Sequence, residues 1–507
     1  METFSRQDLK RIEAEGLTPN AVVGQLKLIR KGTAFMKINR PCTLNDGISA
    51  ISEKEQNLCI RAYEDAADKG RISKFVPASG AASRMFQDWI RISLKRDEGI
   101  EKETHKLFPD LKKFAFFDDL CAILLALGLS FETFKNEQRY ADLLDYILTS
   151  KGLNYSFLPK ALLKFHRYSD RSRTPLEEHL VEAALYTRDA RNICRLHMTV
   201  SVEHEQLTKQ YLDRVQSVYE TQFGVRFDIQ ISAQKSSTNT IFVDMNNRPF
   251  RDEKGRLMFR PGGHGALLDN LNAVDGDIVM VKNIDNVVPD RLKNKTVLYK
   301  KILGGYLIRI QGESFKYLDK LNHSTQKEII TQAERFCNRK FDTIFHENYF
   351  LSSDREKKDI LIRQLSRPIR VCGMVRNEGE PGGGPFWTDE KNGTQTKQIV
   401  EQGHIDANSE EQAAKWKSST HFNPVDLACG IRDFKSMKFD LKAFVDENAY
   451  LVSKKYQDGI QVKILEHPGL WNGSMAHWNT IFIELPIETF NPVKSVTDLL
   501  RPQHQPE

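Results

Sequence analysis

Neither of two widespread phosphate-binding signatures occurs in this chain. There is no G-x-x-x-x-G-K-[ST] and no G-x-G-x-x-G, which excludes a P-loop NTPase and an ordinary dinucleotide-binding domain. Long apolar runs are missing too: the longest, residues 120–129, falls well short of the ~20 residues a membrane-spanning helix needs. No membrane partner is expected. The first eight residues carry acids and no apolar core, so no signal peptide is expected either. Cysteine is scarce and scattered, seven residues with no C-x-x-C and no paired spacing. That argues against a disulfide framework and a structural zinc site, and for free thiols in a reducing cytoplasm. Charge of one sign is also lacking. Lys and Arg number 74 against 68 Asp and Glu, a net +6, which does not call for a nucleic-acid partner but suits a small anionic substrate.

What is present is the composition of a soluble globular protein, 40% apolar and 28% charged over 507 residues. Internal repeats and low-complexity linkers are absent, so the pattern predicts one αβα core with helical additions. Residues 1–70 read as a helical region broken at Pro41 and at Asn45-Asp46-Gly47. Residues 71–290 read as an α/β core carrying a helical insertion over about 86–190, with residues 120–129 as a buried helix. Residues 291–365 read as a second helical insertion, and 366–507 as the rest of the core. Strands are expected at 193–200, 227–231, 277–282, 369–375 and 480–485, with a helix over 203–223. Strands separated by helices imply a parallel sheet with right-handed crossovers.

The stretch 75–86, FVPASGAASRMF, reads as a buried strand, a turn of small residues and a helix that opens with a cation. Small side chains let main-chain N–H groups approach a phosphate, and a helix start adds unpaired donors. Ser79, Gly80, Ala81, Ala82 and Ser83 are therefore candidate phosphate contacts, with Arg84 as a mobile charge; a plain tight turn is the alternative. A second candidate loop is 259–268, FRPGGHGALL, where Gly262, Gly263 and Gly265 flank His264 ahead of a helix. Asp285, in Asn283-Ile284-Asp285-Asn286, follows the 277–282 strand at the edge where open α/β sheets bind ligands. There it is either a Mg²⁺ ligand or a turn cap. Asp275-Gly276-Asp277 has metal-site spacing but precedes that strand, and reads as a turn. Residues 377–387, NEGEPGGGPFW, follow a strand and read as either a sugar grip that includes Glu378 or a rigid loop. Residues 470–479, with Trp471 and Trp478, read as packing, with aromatic contacts to a sugar as the alternative.

Four of these segments, in order, carry a resemblance. Ser83-Arg84-Met85 closes a small-residue turn that resembles the nucleotide loop of sugar nucleotidyltransferases, and residues 259–265 resemble the Pro-Pro-Gly-His-Gly segment of UDP-sugar pyrophosphorylases. Residues 283–286 are similar to that family's Asn-x-Asp-Asn segment, and 490–500, FNPVKSVTDLL, to its Phe-x-Pro-Val-Lys-x-x-x-Asp-Leu-Leu. As a whole the chain resembles an uncharacterised bacterial family related to those enzymes. The resemblance implies a three-layer, nucleotidyltransferase-like α/β core of GT-A type with a mostly parallel sheet and large helical insertions. It implies a nucleotidyltransferase that joins a nucleoside triphosphate, UTP being expected, to a sugar 1-phosphate with release of pyrophosphate. Gly80 to Arg84 would cradle the triphosphate, Gln234, Gly263 and Gly265 would contact the nucleotide, and His264 would lie between nucleotide and sugar phosphate. Asp285 would bind Mg²⁺, Lys494 would neutralise phosphate charge, and Asn283, Asn286 and Asn423 would face the substrate. Ala81-Ala82 and Pro424-Val425 depart from the family pattern. A protein of the same fold that binds a nucleotide or sugar nucleotide without turnover is the alternative reading, and a glycosyltransferase a third.

Overall fold

The computed structural model describes residues 4–80, 82–95, 108–379, 382–457 and 459–506. Ala81, a candidate phosphate contact, and Glu380 and Pro381 of the 377–387 loop lie outside the described residues. At the centre is a ten-stranded sheet. In chain order nine of its strands are β1 (Thr43–Leu44), β2 (Gly47–Ser49), β3 (Ile72–Pro77), β4 (Ile193–Val200), β5 (Arg226–Ala233), β6 (Ile278–Lys282), β7 (Ile369–Arg376), β8 (Asp426–Gly430) and β9 (Asn479–Glu484). Across the sheet they run β1-β2-β9-β7-β8-β6-β3-β4-β5, and a short tenth strand, His421–Phe422, pairs with β7. All nine are mutually parallel except β8, which runs antiparallel between β6 and β7. The fold is thus mixed α/β with a mostly parallel sheet, as the alternation of strands and helices predicts.

Alternate residues of the strands build the two faces, because successive side chains point to opposite sides. Ile278 and Met280 of β6 join Ile369, Val371, Ile481 and Ile483 under the helices α1 (Glu53–Asp68) and α4 (Asp290–His323). Val279 and Val281 face the other way, with Cys372, Met374, Leu427 and Phe482. Beside them, α2 (Pro175–Tyr186) and α3 (Glu205–Phe223) cover β4 and β5. Local chemistry fixes the ends of these helices. Thr174 and Glu177 form a capping box with Pro175 in the first turn of α2, and Gly224 ends α3 in the left-handed conformation at φ 60°.

Three expectations need correction. The N-terminal region is not all helix: between Pro19–Lys31 and α1 it supplies β1, β2 and the strand Ile38–Pro41, because Gly47 (φ 93°) and Asn45 (φ 67°) turn the chain back into sheet pairing. Residues 120–129 are not a buried helix. The helix there is Phe117–Ala126, with Leu120 and Leu124 inside and Leu125 and Leu127 78% and 54% exposed. The third concerns α4, which is no appendage. Gly304 and Gly305 let this 34-residue helix close on Tyr63 and Cys59 of α1, so together they wall one face of the core. The Ile278–Lys282 and Asn479–Glu484 strands begin one residue later and earlier, respectively, than expected.

Two further sheets flank the central one, and Trp387 and Ile399 of the second pack into its core. Four strands, Phe259–Pro261, Asn239–Val243, Ile460–Glu466 and Leu451–Gln457, form one antiparallel sheet. Ile38–Pro41, Gly384–Asp389 and Gln395–Val400 form another. Asp275 and Asp277 sit at the amino end of β6 and pair with Arg432 and Arg71. They form a structural turn, as the sequence suggests.

Candidate active site

Parallel neighbours end at the same rim, so the segments that follow β3 and β6 emerge side by side. The Ile284 N–H donates to the Pro77 carbonyl at 3.2 Å and ties the two exits together. Beyond Pro77 the chain turns through Ser79 and Gly80, then forms a short 3-10 turn, Ala82–Arg84. Lys160 returns to this turn after the intervening helices, its N–H donating to the Gly80 carbonyl at 3.2 Å. A Cβ placed on Gly80 would meet nothing within 4 Å, so the space above this turn is open. Arg84 is exposed and makes no hydrogen bond or ion pair among the described residues.

The C-terminal segment closes over both exits. Val493 donates its N–H to the Asp285 carbonyl and Val496 to the Met85 carbonyl, each at 3.1 Å. The Asn491 N–H donates to Asn286 Oδ1 at 2.9 Å. Beneath them Met85, Val287, Val493, Val496 and Leu499 share one apolar cluster. Asp498 fixes the bend by accepting the N–H groups of Lys494 and Ser495 at 2.8 and 2.7 Å.

This stitching delivers three charged groups to one point. Lys160 Nζ and Lys494 Nζ lie 3.0 and 3.1 Å from Asp285 Oδ2, and Lys160 also donates to the Val493 carbonyl at 2.8 Å. Asp285 Oδ1 is buried without a hydrogen-bond partner among the described residues. Burial alone would raise the Asp285 pKa, but Lys494 and Lys160 more than reverse this and hold the carboxyl below its usual range. Burial lowers the Lys160 pKa; Asp285 opposes that, while Lys494 and Arg84 add to it. Two lysines therefore flank one carboxylate, and Arg84 lies near enough to act on Lys160, which leaves an excess of positive charge at the rim.

Asn283 lies in the same exit, and Asn423 is brought there by sheet register, since Lys282 of β6 pairs with Asp426 of β8. Asn423 is buried, and its Oδ1 accepts the Val425 N–H at 3.1 Å. Val425 has φ 59°, a conformation a β-branched residue rarely adopts and one that costs about 1–3 kcal/mol. Phe422 packs on Phe490 with ring centroids 5.3 Å apart, tying this corner to the Lys494 segment.

A second group stands beside the first, on the outer four-stranded sheet. Gly262 and Gly265 are pressed against residues 467 and 468; a Cβ on Gly265 would lie 2.1 Å from the Pro468 carbonyl oxygen. His264 Nδ1 accepts the Leu470 N–H at 3.0 Å, Nε2 faces Glu401 Oε1 at 3.3 Å, and the ring stacks on Trp471 at 4.1 Å between centroids. With both nitrogens engaged, His264 joins the glycine loop to the 467–474 loop. It makes no contact with Asp285. Burial pushes the Glu401 carboxyl up, but His264 holds it below its usual value. Gly263 adopts φ 80° over Glu466. Gln234, at the end of β5, donates from Nε2 to Thr238 Oγ1 at 3.1 Å. Arg260 connects the two groups: its pKa is lowered by burial, raised by Glu466 and lowered again by Arg84.

The sequence matches the family described as Domain of unknown function (DUF4301) over residues 5–505. The chain belongs to the DUF4301 family. No curated protein matches it. Among solved structures it is similar to a Trypanosoma brucei uridine diphosphate N-acetylglucosamine pyrophosphorylase, with 13% identity, 99% of this chain and 85% of that one covered, and a TM-score of 0.48. It is also similar to a UDP-glucose phosphorylase of the same organism, at 13% identity, 97% and 77% coverage and TM-score 0.45. A Leishmania major UDP-glucose pyrophosphorylase gives 12%, 98% and 79%, and 0.44.

Within this DUF4301 chain Asp285, Lys494, Gly80 and the Ala82–Arg84 turn come together through Lys160, with Asn283, Asn286 and Asn423 on the same rim. Gln234 and Gly263 to Gly265 form the adjoining group. Glu378 stands apart. It is exposed and lines a cavity of about 390 Å³ with Arg376 and Glu484. Lys160 is the functional candidate that the sequence pattern did not single out; its one signal is a lysine set among apolar residues in Leu158-Pro159-Lys160-Ala161-Leu162. Arg260, Glu401 and Glu466 carry no motif of their own. Among the described residues no group of three or more His, Cys, Asp or Glu forms a metal cage. Among the described residues no helix is long and apolar enough to cross a membrane.

Proposed function

We propose that the chain catalyses attack of a sugar 1-phosphate on the α-phosphorus of a nucleoside triphosphate, UTP being the expected one. The new bond joins a phosphate oxygen of the sugar to that phosphorus, the bond to the β-phosphate breaks, and pyrophosphate leaves with the electron pair. The observation that supports this reading is the placement of Lys160 and Lys494 on Asp285, with Arg84 near Lys160, beside a small-residue turn with open space above Gly80. Both reactants are anions, so lowering their mutual repulsion is the principal task, and fixed cations with bound geometry do that without a covalent intermediate. Lys160 is held rigidly by Asp285 and the Val493 carbonyl, whereas Lys494 and Arg84 retain exposure through which to meet phosphate oxygens.

Mg²⁺ belongs to the same proposal. Asp285 Oδ1 is a hard oxygen without a partner, which fits an ion that often takes one or two protein carboxylates and completes its shell with phosphate oxygens and waters. When bound it would neutralise phosphate charge; the lysines and Arg84 do so by themselves in part. The test is pyrophosphate release from UTP, CTP, GTP and ATP with a panel of sugar 1-phosphates and Mg²⁺. Release with one pair supports the reading, and tight nucleotide binding without product supports a binding protein on this fold.

A further inference from the structure

A cavity of about 380 Å³ opens at the amino ends of β7 and β9, the opposite end of the sheet from Asp285. Its volume falls within the range of small-molecule sites. Arg367, Gln364, Thr343, Gln398, His477 and Trp478 are among the residues that line it. Three of the charged side chains in its wall have ion-pair or hydrogen-bond partners. Lys397 pairs with Asp342, and Glu390 accepts the Thr396 hydroxyl at 2.5 Å.

Arg367 is the exception. It is half-buried, it makes no hydrogen bond or ion pair among the described residues, and burial lowers its pKa with only Cys337 acting against that. Holding an unpaired guanidinium at the wall of a cavity costs stability and returns nothing within the chain. Two residues of the wall, Thr343 and Trp478, also carry buried polar atoms, Oγ1 and the indole nitrogen, that lack partners among the described residues.

We propose that this cavity is a second ligand site, in which Arg367 receives the phosphate of a phosphorylated sugar-sized metabolite and the polar residues of the wall meet its hydroxyls. A guanidinium binds a phosphate in forked, charge-assisted fashion, which no neutral group in the wall can replace. The inference is independent of the chemistry proposed for the other rim.

The test uses the full chain carrying Lys494→Ala, so that the opposite rim contributes little, and titrates glucose 6-phosphate, inorganic phosphate and glucose by calorimetry. Saturable binding of glucose 6-phosphate, weaker binding of phosphate and none of glucose are expected. Adding Arg367→Gln should weaken glucose 6-phosphate binding roughly tenfold or more, and Arg367→Lys should keep most of it. Without ligand, Arg367→Gln should melt at the same temperature as its parent or higher, since it removes an unpaired cation. Equal binding by phosphate and the sugar phosphate would overturn the sugar-sized ligand. Unchanged binding in Arg367→Gln, no binding by the parent, or a lowered melting temperature of ligand-free Arg367→Gln would each overturn the site.

Discussion

Lys160 and Lys494 place their ammonium groups on the same oxygen of Asp285, at 3.0 and 3.1 Å, although one is 10% exposed and the other 49%. The buried lysine is structural support as well as charge, while the exposed one is, in the proposed reaction, the one that meets a phosphate. Two cations on a single oxygen also keep that carboxylate from cancelling the charge of either completely. Asp285 therefore orients positive charge rather than removing it.

Different outcomes follow for the two lysines. Lys494→Ala should lower the rate of pyrophosphate release by about 10²-fold, as for loss of one electrostatic contact at a transition state, with the melting temperature nearly unchanged. Lys160→Met removes a partner of a buried ion pair, which costs about 3–5 kcal/mol. Partial retention of the Lys494 contact would moderate that loss. Parallel rate and urea-denaturation measurements on both variants check the division; a Lys494→Ala protein of full activity would remove that residue from the site.

Gly80 and Gly265 should also separate. An added Cβ on Gly80 enters open space, so Gly80→Ala should fold normally yet bind nucleotide more weakly, because the methyl occupies the approach to the turn. At Gly265 the added carbon would sit 2.1 Å from a carbonyl oxygen, and the loop must shift, with a loss of about 1–3 kcal/mol. Thermal melts with and without UTP distinguish the cases. Equal UTP-induced shifts in wild type and Gly80→Ala would speak against a phosphate above that turn.

These contrasts show what the sequence made legible. The 79–84 turn, Asp285 and Lys494 were readable because each joins a small-residue or charged motif to the end of a strand or to a family segment. The interior strands β4, β6, β7 and β9 were readable because parallel strands buried on both faces are nearly continuous apolar runs. Strand β8, Asp-Leu-Ala-Cys-Gly, has no such run, and its antiparallel course follows from partners on either side. Lys160 was not legible for a related reason. Its role comes from a fold that returns it to Gly80 after a helical insertion, and no local pattern records that closure. His264 was conspicuous by its glycines, but only the structure shows both its nitrogens engaged.

The C-terminal tail supplies a pH dependence. His504 is buried, its Nδ1 2.9 Å from His166 Nε2, while His166 Nδ1 lies 2.8 Å from Glu178 Oε1. Burial pushes His504 down to about 3, with His166 and Arg501 adding to this and Glu178 opposing. Lys293 and Arg173 also pair with Glu178 in this cluster. An unfolded histidine takes up a proton near pH 6.5 and the folded His504 does not. The stability His504 provides is thus complete above about pH 6.5 and is lost as pH falls toward 3. Melting temperatures between pH 7 and 4.5 should fall less steeply in His504→Gln than in wild type. Identical slopes would show that His504 takes no part.

A last prediction concerns charge beneath the sheet. Lys74 of β3 and Lys282 of β6 donate to the two oxygens of Glu182 on α2, at 2.9 and 2.7 Å, and all three side chains are fully or almost fully buried. His179, one turn earlier on α2, has Nε2 3.3 Å from the Ile284 carbonyl, so this cluster supports the loop that carries Asp285. Glu182→Gln leaves two buried cations without their counter-charge and should cost about 3–5 kcal/mol. Burial lowers Lys74 to about 7, against the pull of Glu182. An unfolded lysine keeps its proton to about pH 10.4, so between about 7 and that value the unfolded chain binds more protons and this group makes stability rise with pH. Replacing Lys74 by Met should remove that rise and, in the Glu182→Gln background, recover part of the lost stability, because one uncompensated cation disappears. Urea denaturation at pH 6.5, 8 and 9.5 on the two single variants and the double variant measures both effects. Strict additivity of the two losses, with an unchanged pH slope, would mean that Lys74 and Glu182 do not act as a pair.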